Sequence, residues 1–241
     1  MIGFNYMDTN AIQLTNVTKT YTIHHDKPTL VEKFVKGRDE TFTALNKINL
    51  TIKKGEKIGI IGPNGSGKTT LLKIIAGITT PTKGTVETNG RIVSLIDLEA
   101  GFHPDLTGYQ NIFINGLLLG LQKKEIIKRL PQIIAYADIK QFIDAPLFTY
   151  STGMKLRVGF SVAIHADPDI LILDEGMNVG DTAFQKKAGS QIQKLFAKNK
   201  TILIVSQYKN IIEHYAKRII YLTDGKIVHD GSKVILKKYF M

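Results

Sequence analysis

The stretch from Gly59 to Ile75, GIIGPNGSGKTTLLKII, constrains the fold of this chain more than any other. Apolar residues lead into a loop with glycines at 62, 65 and 67. Lys68, two threonines and a second apolar run follow. The pattern predicts a strand ending at Ile61, a tight loop, and a helix from Thr69 to about Ala76. A glycine loop in that setting turns backbone N–H groups inward around an anion, and the helix N-terminus adds partial positive charge. Lys68 brings a mobile full charge, and the Thr69 hydroxyl is suited to ligate Mg²⁺. The loop therefore predicts a phosphate-binding site, with Gly62, Asn64, Gly65, Ser66, Gly67, Lys68, Thr69 and Thr70 as candidate residues.

Strands and helices alternate along the rest of the chain. AIQLTNVTKTYT, from residue 11, alternates apolar and polar residues as a half-buried strand does. FTALNKINLTIKKGEKIGIIG reads as two strands joined by a turn at Lys54-Gly55. From Leu106 to about Phe148 the apolar spacing is helical, with Pro131 marking one boundary. DILILDE and TILIVSQ are short continuous apolar runs, of the kind buried on both faces of a parallel sheet. RIIYLTDGKIVHDGS predicts a hairpin turning at Asp224-Gly225. The expected architecture is a single α/β domain over residues 1–241. It has a helical insertion at about 104–155, no internal repeat and no appended C-terminal domain.

Composition limits the function classes. Thirty-two basic against 21 acidic side chains leave a formal net charge of +11, which favours nucleic acid, nucleotide or an anionic membrane face. The absence of cysteine removes any disulfide framework and agrees with a reducing compartment. The N-terminus lacks the basic start and apolar core of a signal peptide. The longest apolar run, 112–121, is about half of what a bilayer span needs. The expectation is a cytosolic chain, or one that lies against a membrane without crossing it.

A magnesium ion at the loop needs a second protein contact, and LILDE supplies it. Asp174 ends an apolar strand, where its carboxylate can reach the metal directly or through water. Glu175 follows and can act as the base for a water attacking the γ-phosphate.

YSTGMKLRVGFSVAI stands just before the acidic strand and resembles the L-S-G-G-Q signature of the ATP-binding cassette (ABC) family. It keeps Ser151 and Gly153 and departs from the pattern at the other positions. Ser151 Oγ, the Gly153 N–H and a helix dipole can all face one anion. The order of loop, helical segment, signature and acidic strand covers nearly the whole chain. The resemblance implies a P-loop NTPase core of ABC type with an antiparallel β subdomain and a helical insertion.

The resemblance implies further roles. Tyr21, after the first strand in VTKTY, looks like the residue that stacks on adenine. Asp181, ending NVGD, looks like part of the loop that meets a second subunit. The segment SLIDLEAGFHPDLTGYQN resembles the loop where this family usually carries a γ-phosphate-sensing glutamine. Between residues 94 and 109 no glutamine stands, and Asp97 or Glu99 fills the place. His103 and His165 have no second ligand at metal-site spacing and read as structural. After TILIV the family usually has Ser-His, whereas this chain has Ser206-Gln207. Glutamine can donate an amide N–H to a phosphate but cannot hold a positive charge as imidazole can. Gln207 therefore predicts slow turnover, as a natural variant or as a substitution that traps the ATP-bound state.

ATP and Mg²⁺ are the implied ligands. The implied assembly is a homodimer with each ATP between one subunit's loop and the other's signature, joined to a polytopic membrane permease on the cytoplasmic face. YSTGM, GFHPDLTGYQNI, FSVAIHADPDILILDE and VGD look most like ATPases exporting lipid-linked polysaccharides: O-antigen, capsule or teichoic acid. No nucleic acid is expected, although a soluble ABC protein acting on nucleic acid or ribosomes is the alternative that the basic charge keeps open. In KPTLVEKFVKGRDE, residues 27–40, Leu30, Val31, Phe34 and Val35 share one helical face among basic residues. This predicts a short amphipathic helix at the membrane or, as the other reading, one packed on its own domain.

Overall fold

The computed structural model describes residues 9–23, 40–174, 180–206 and 208–240. Strands β1 (Asn10–Ile23) and β2 (Glu40–Lys53) pair antiparallel along most of their length. Then come β3 (Lys57–Ile61) and helix α1 (Lys68–Ile75), followed by β4 (Lys83–Thr88), which covers the free edge of β1, and β5 (Ile92–Ser94). The helical part holds α2 (Gly108–Leu118), α3 (Lys123–Ala137) and α4 (Thr152–His165). The chain finishes with β6 (Ile170–Leu173), α5 (Thr182–Ala197), β7 (Thr201–Val205), α6 (Lys209–Tyr215), β8 (Arg218–Thr223), β9 (Lys226–Gly231) and α7 (Ile235–Tyr239).

Two sheets result, of orders β2-β1-β4 and β5-β6-β7-β3-β8-β9. In the larger sheet every pairing from β5 to β8 is parallel, and only β9 runs the other way. The two strands predicted on either side of Lys54-Gly55 thus belong to different sheets. The hairpin predicted at Asp224-Gly225 joins β8 to β9, and both turn residues have positive φ, at 47° and 68°.

The continuous apolar runs are explained by burial on both faces. Ile170 and Ile172 of β6, with Leu203 and Val205 of β7, join a core that packs α1 between the two sheets. Leu171, Leu173, Ile202 and Ile204 point into a second core with α4, α5 and α6. Leu71, Leu72, Ile74 and Ile75 of α1 are all buried in the first core, a gain on the order of 2 kcal/mol each over exposure. Gly59 in β3 faces the second core. A methyl group there would stand 2.9 Å from Ile212 and 3.1 Å from Ala216, so α6 can lie close against the strand.

The helical part has its own core, including Ile112, Ile133, Leu147, Tyr150, Val158 and Val162. Pro131 does not bound a helix, as its residue type predicted; it lies inside α3. The carbonyl it leaves unbonded is that of Ile127, a half-exposed residue beside solvent, where water can replace the lost N–H. Arg91 ties this part to the sheet, donating to the carbonyls of Ala166 (2.6 Å) and Gly120 (3.1 Å) and pairing with Glu125. Residues 27–39, most of the predicted amphipathic segment, lie outside the described residues.

Candidate functional site

Parallel strands present their carboxyl ends along one edge, and the candidate residues gather there. Gly62 follows β3 and Asp174 follows β6, with β7 lying between those two strands. Ile60 is level with Val205 and Leu173 with Ile204, so the three strands end within about a residue of one another. Position 207 follows β7 by two residues. Glu175 and Gln207 themselves lie outside the described residues.

The loop is shaped by its glycines. Gly62 is buried, with φ at 154°; a side chain there would collide with the Leu222 carbonyl oxygen at 2.0 Å and with Ser66 Oγ at 2.7 Å. Gly67 takes the left-handed conformation at the N-cap of α1, where no side chain caps the first N–H groups. No acidic residue stands in that first turn, so the helix end presents positive potential to the cavity. Lys68 folds back on the loop, its Nζ donating to the carbonyls of Gly62 (2.7 Å) and Pro63 (2.9 Å).

Asn64, Gly65, Ser66, Gly67, Lys68, Thr69 and Thr70 line a cavity of about 450 Å³ together with Asp174, Phe42, Ala44, Leu95, Ile96 and Val205. Gly62 is not in its lining and instead faces a separate cleft beside α7. Ser66 Oγ is buried without a hydrogen-bond partner, a polar atom the protein alone leaves unsatisfied. This donor set fits a polyphosphate: backbone N–H groups, one ammonium and hydroxyls on one wall. The Asp174 carboxylate and Thr69 hydroxyl would suit a hard divalent cation.

Tyr21 is paired across the strands with Phe42, and cross-strand partners share a sheet face. The Phe42 ring lines the cavity, an aromatic residue that the sequence reading did not single out. Lys19 Nζ lies 5.0 Å from the centre of the Tyr21 ring.

Ser151 caps α4, its Oγ accepting from the Met154 N–H at 3.2 Å, and its side chain is exposed. Neither Ser151 nor Gly153 lines the cavity formed by this chain's loop. Asp181 caps α5 in the same way, accepting from the Phe184 N–H at 2.9 Å.

The segment after β5 joins two cavities. Leu95 and Ile96 line the cavity at the glycine loop. Asp97, Leu98, Ala100 and Gly101 line a groove of about 230 Å³ against α2 and α4, which also holds Ile78 and Leu118, 50% and 66% exposed. Asp97 is exposed in that groove and Glu99 is half-buried. The sequence also gave no warning of Asn111. Fully buried, it accepts from the His103 N–H at 2.7 Å and donates to the carbonyls of His103, Leu106 and Thr107, fixing the turn before α2. His165 Nδ1 donates to the Ser161 carbonyl (2.7 Å), and the residue belongs to the packing of α4.

A parallel sheet with a phosphate-binding loop after its central strand, an acidic residue after the strand two places along, and a separate capped signature helix defines an ATP-binding cassette. The chain belongs to the ABC transporter family, whose pattern matches residues 45–178. It is 44% identical over 234 residues to the O-antigen export system ATP-binding protein RfbB of Myxococcus xanthus, covering 92% of this chain and 54% of that protein. A protein of the same description from Klebsiella pneumoniae is 40% identical over 232 residues, covering 92% and 94%. The teichoic acids export ATP-binding protein TagH of Shouchella clausii is 41% identical over 231 residues, covering 94% and 64%. The chain thus spans about half of the first of these relatives and nearly all of the second. Among solved structures, a dimeric ATP-binding cassette in a post-hydrolysis state with ADP and Pi matches with a TM-score of 0.68. It is 27% identical and covers 92% of this chain and 98% of that one.

Proposed function

We propose that this chain is the ATP-binding and ATP-hydrolysing subunit of an exporter that moves a lipid-linked polysaccharide, of the O-antigen, capsule or teichoic acid kind, across the cytoplasmic membrane. It works as one domain on the cytoplasmic face. The loop N–H groups, Lys68, Thr70 and the half of the cavity around Asn64 and Ser66 bind the phosphates. Thr69 and Asp174 would hold Mg²⁺, which would supply charge neutralisation on the bound phosphates. Tyr21 offers an adenine-stacking face, with Phe42 beside it. Glu175 takes a proton from the attacking water on its carboxylate, and the Gln207 amide orients that water without carrying charge, so turnover is slow.

The observation that carries this reading is the separation of two phosphate-binding devices within one chain. Ser151, exposed, and Gly153, half-buried, lie off the cavity lined by their own chain's loop, at a helix N-terminus. A second copy turned head to tail brings its signature to the open side of the first copy's cavity, and Asp181 into the contact between them. That a similar solved cassette is dimeric supports the pairing of two copies. The exposed apolar groove around Leu118 and Ile78, reached from the phosphate cavity through residues 95–101, suits a polytopic membrane permease. The export names of the relatives support the cargo and do not favour a partner such as nucleic acid or the ribosome. Among the described residues no helix is long and apolar enough to cross a membrane.

Replacing Lys68 with Ala in cells that depend on this chain is the test. The proposal expects loss of surface polymer with lipid-linked polymer retained on the cytoplasmic side. Normal surface polymer from the Lys68→Ala protein would contradict it.

A further inference from the structure

The hydroxyl of Tyr239, in the last helix, donates to the carbonyl oxygen of Gly62 at 2.7 Å. That oxygen is the one to which Lys68 Nζ donates, also at 2.7 Å. We propose that Tyr239 is a positioning residue for the phosphate loop, pinning the Gly62 carbonyl from outside the cavity so that Lys68 can turn toward phosphate.

The Gly62–Pro63 peptide is poorly held by its own residues. Gly62 has no side chain, Pro63 has no N–H, and the Gly62 φ of 154° lies where only glycine rests easily. Gly62 is buried, so its carbonyl must keep a partner or bear a desolvation cost. A carbonyl oxygen has two lone pairs, and here Lys68 and Tyr239 both donate to it. When Lys68 directs its protons to a bound polyphosphate, Tyr239 keeps the oxygen satisfied and the peptide plane in place. Without the hydroxyl, each redirected proton of Lys68 costs more and binding weakens.

The tyrosine is itself held for this task. Its ring lies 5.4 Å from that of Tyr221 and 4.8 Å edge-on from that of Phe240. Leu236, one turn earlier in α7, is buried in the core under the sheet. A cleft of about 590 Å³ lined by Gly62, Pro63, Asn64, Tyr221 and Lys238 separates the rest of α7 from the loop, so the hydroxyl is the part that reaches across.

This inference rests on the nucleotide reading of the cavity. The test is titration calorimetry of Mg-ATP into the full chain as wild type, Tyr239→Phe and Tyr221→Phe, with thermal melts and steady-state hydrolysis. Tyr239→Phe keeps the ring and removes only the hydroxyl. It should raise the ATP Kd and the KM about three- to tenfold, the range of one net hydrogen bond, and leave kcat within about twofold. Its Tm should stay within about 3 °C of wild type. Tyr221→Phe removes a hydroxyl from the same cleft and should bind ATP as wild type does. Wild-type affinity in Tyr239→Phe, or equal weakening in both variants, would overturn the role of Tyr239 alone. Failure of the wild type to bind ATP would overturn the nucleotide reading with it.

Discussion

Gly159 of α4 lies against the Leu98 backbone so closely that a methyl group on it would stand 2.1 Å from the Leu98 carbonyl oxygen. Leu98 belongs to the segment that joins the phosphate cavity to the apolar groove, and Gly159 to the helix that begins at the signature serine. Rigid backbone on one side and helix on the other leave no flexible side chain to absorb a displacement. A shift of residues 95–98 should therefore be passed to α4, whose N-terminus would face a second copy in the dimer we propose.

Gly159→Ala forces those two elements apart, an overpacking that costs about 1–3 kcal/mol. The phosphate loop is untouched, so the ATP Kd should change by no more than about twofold. Hydrolysis should fall by about tenfold, which corresponds to about 1.4 kcal/mol in the barrier. Isothermal titration and a phosphate-release assay on the same preparation check the split. Wild-type turnover in Gly159→Ala would mean that the close contact carries no coupling.

Much of this arrangement is legible in the sequence because its causes are local. The glycine spacing around residues 62–67, the doubly buried apolar runs before Asp174 and Ser206, and the Asp224-Gly225 turn each announce their structure within a few residues. What the sequence hides depends on distant partners. Tyr239 and Gly62 are 177 positions apart, and Gly159 looks like an ordinary weak point in a helix until Leu98 is placed beside it. Pro131 was misleading for a related reason: whether a proline ends a helix depends on whether the carbonyl four residues back can reach water. The short edge strands β4 and β5 carry too few residues to display a period. Asp97 and Glu99 both stand near the junction of the two cavities, and only Asp97 lines the groove.

Gln207→His tests the reading of slow turnover. An imidazole can hold a positive charge beside the phosphate and a glutamine amide cannot. The substitution should raise kcat at least several-fold, with the ATP Kd unchanged, when hydrolysis is followed at saturating Mg-ATP. A kcat that stays the same or drops would identify Gln207 as an adapted residue rather than an impaired one.

Acid should destabilise the chain between neutrality and pH 5, in part through His165. Burial lowers its pKa below the ordinary 6.5; Arg129 and Lys187 add to the lowering, and the bond to the Ser161 carbonyl opposes it. At pH above 6.5 the imidazole is neutral in folded and unfolded chains alike. Below 6.5 the unfolded chain takes up the proton first, so stability falls as pH drops and levels off only below the folded pKa. Glu125 is shifted in the same direction, held below 4.5 first by the Gln122 N–H and then by Arg91 and Arg129 while burial opposes them, and its contribution is lost only in stronger acid. Urea midpoints measured at pH 7, 6 and 5 should decline in wild type and decline less in His165→Gln. Parallel slopes in the two proteins would remove His165 from the account.

The central claim is that one chain supplies half of a composite ATP site and a second copy supplies the rest. Sedimentation velocity on the Glu175→Gln protein, which should bind ATP while hydrolysis falls by roughly 10²-fold, tests it most directly. With Mg-ATP the protein should sediment as a dimer, and with ADP or no nucleotide as a monomer. Ser151→Arg in the same background should bind ATP and remain a monomer. A Glu175→Gln protein that stays monomeric at saturating Mg-ATP, or a Ser151→Arg variant that dimerises as readily as its parent, would contradict the account.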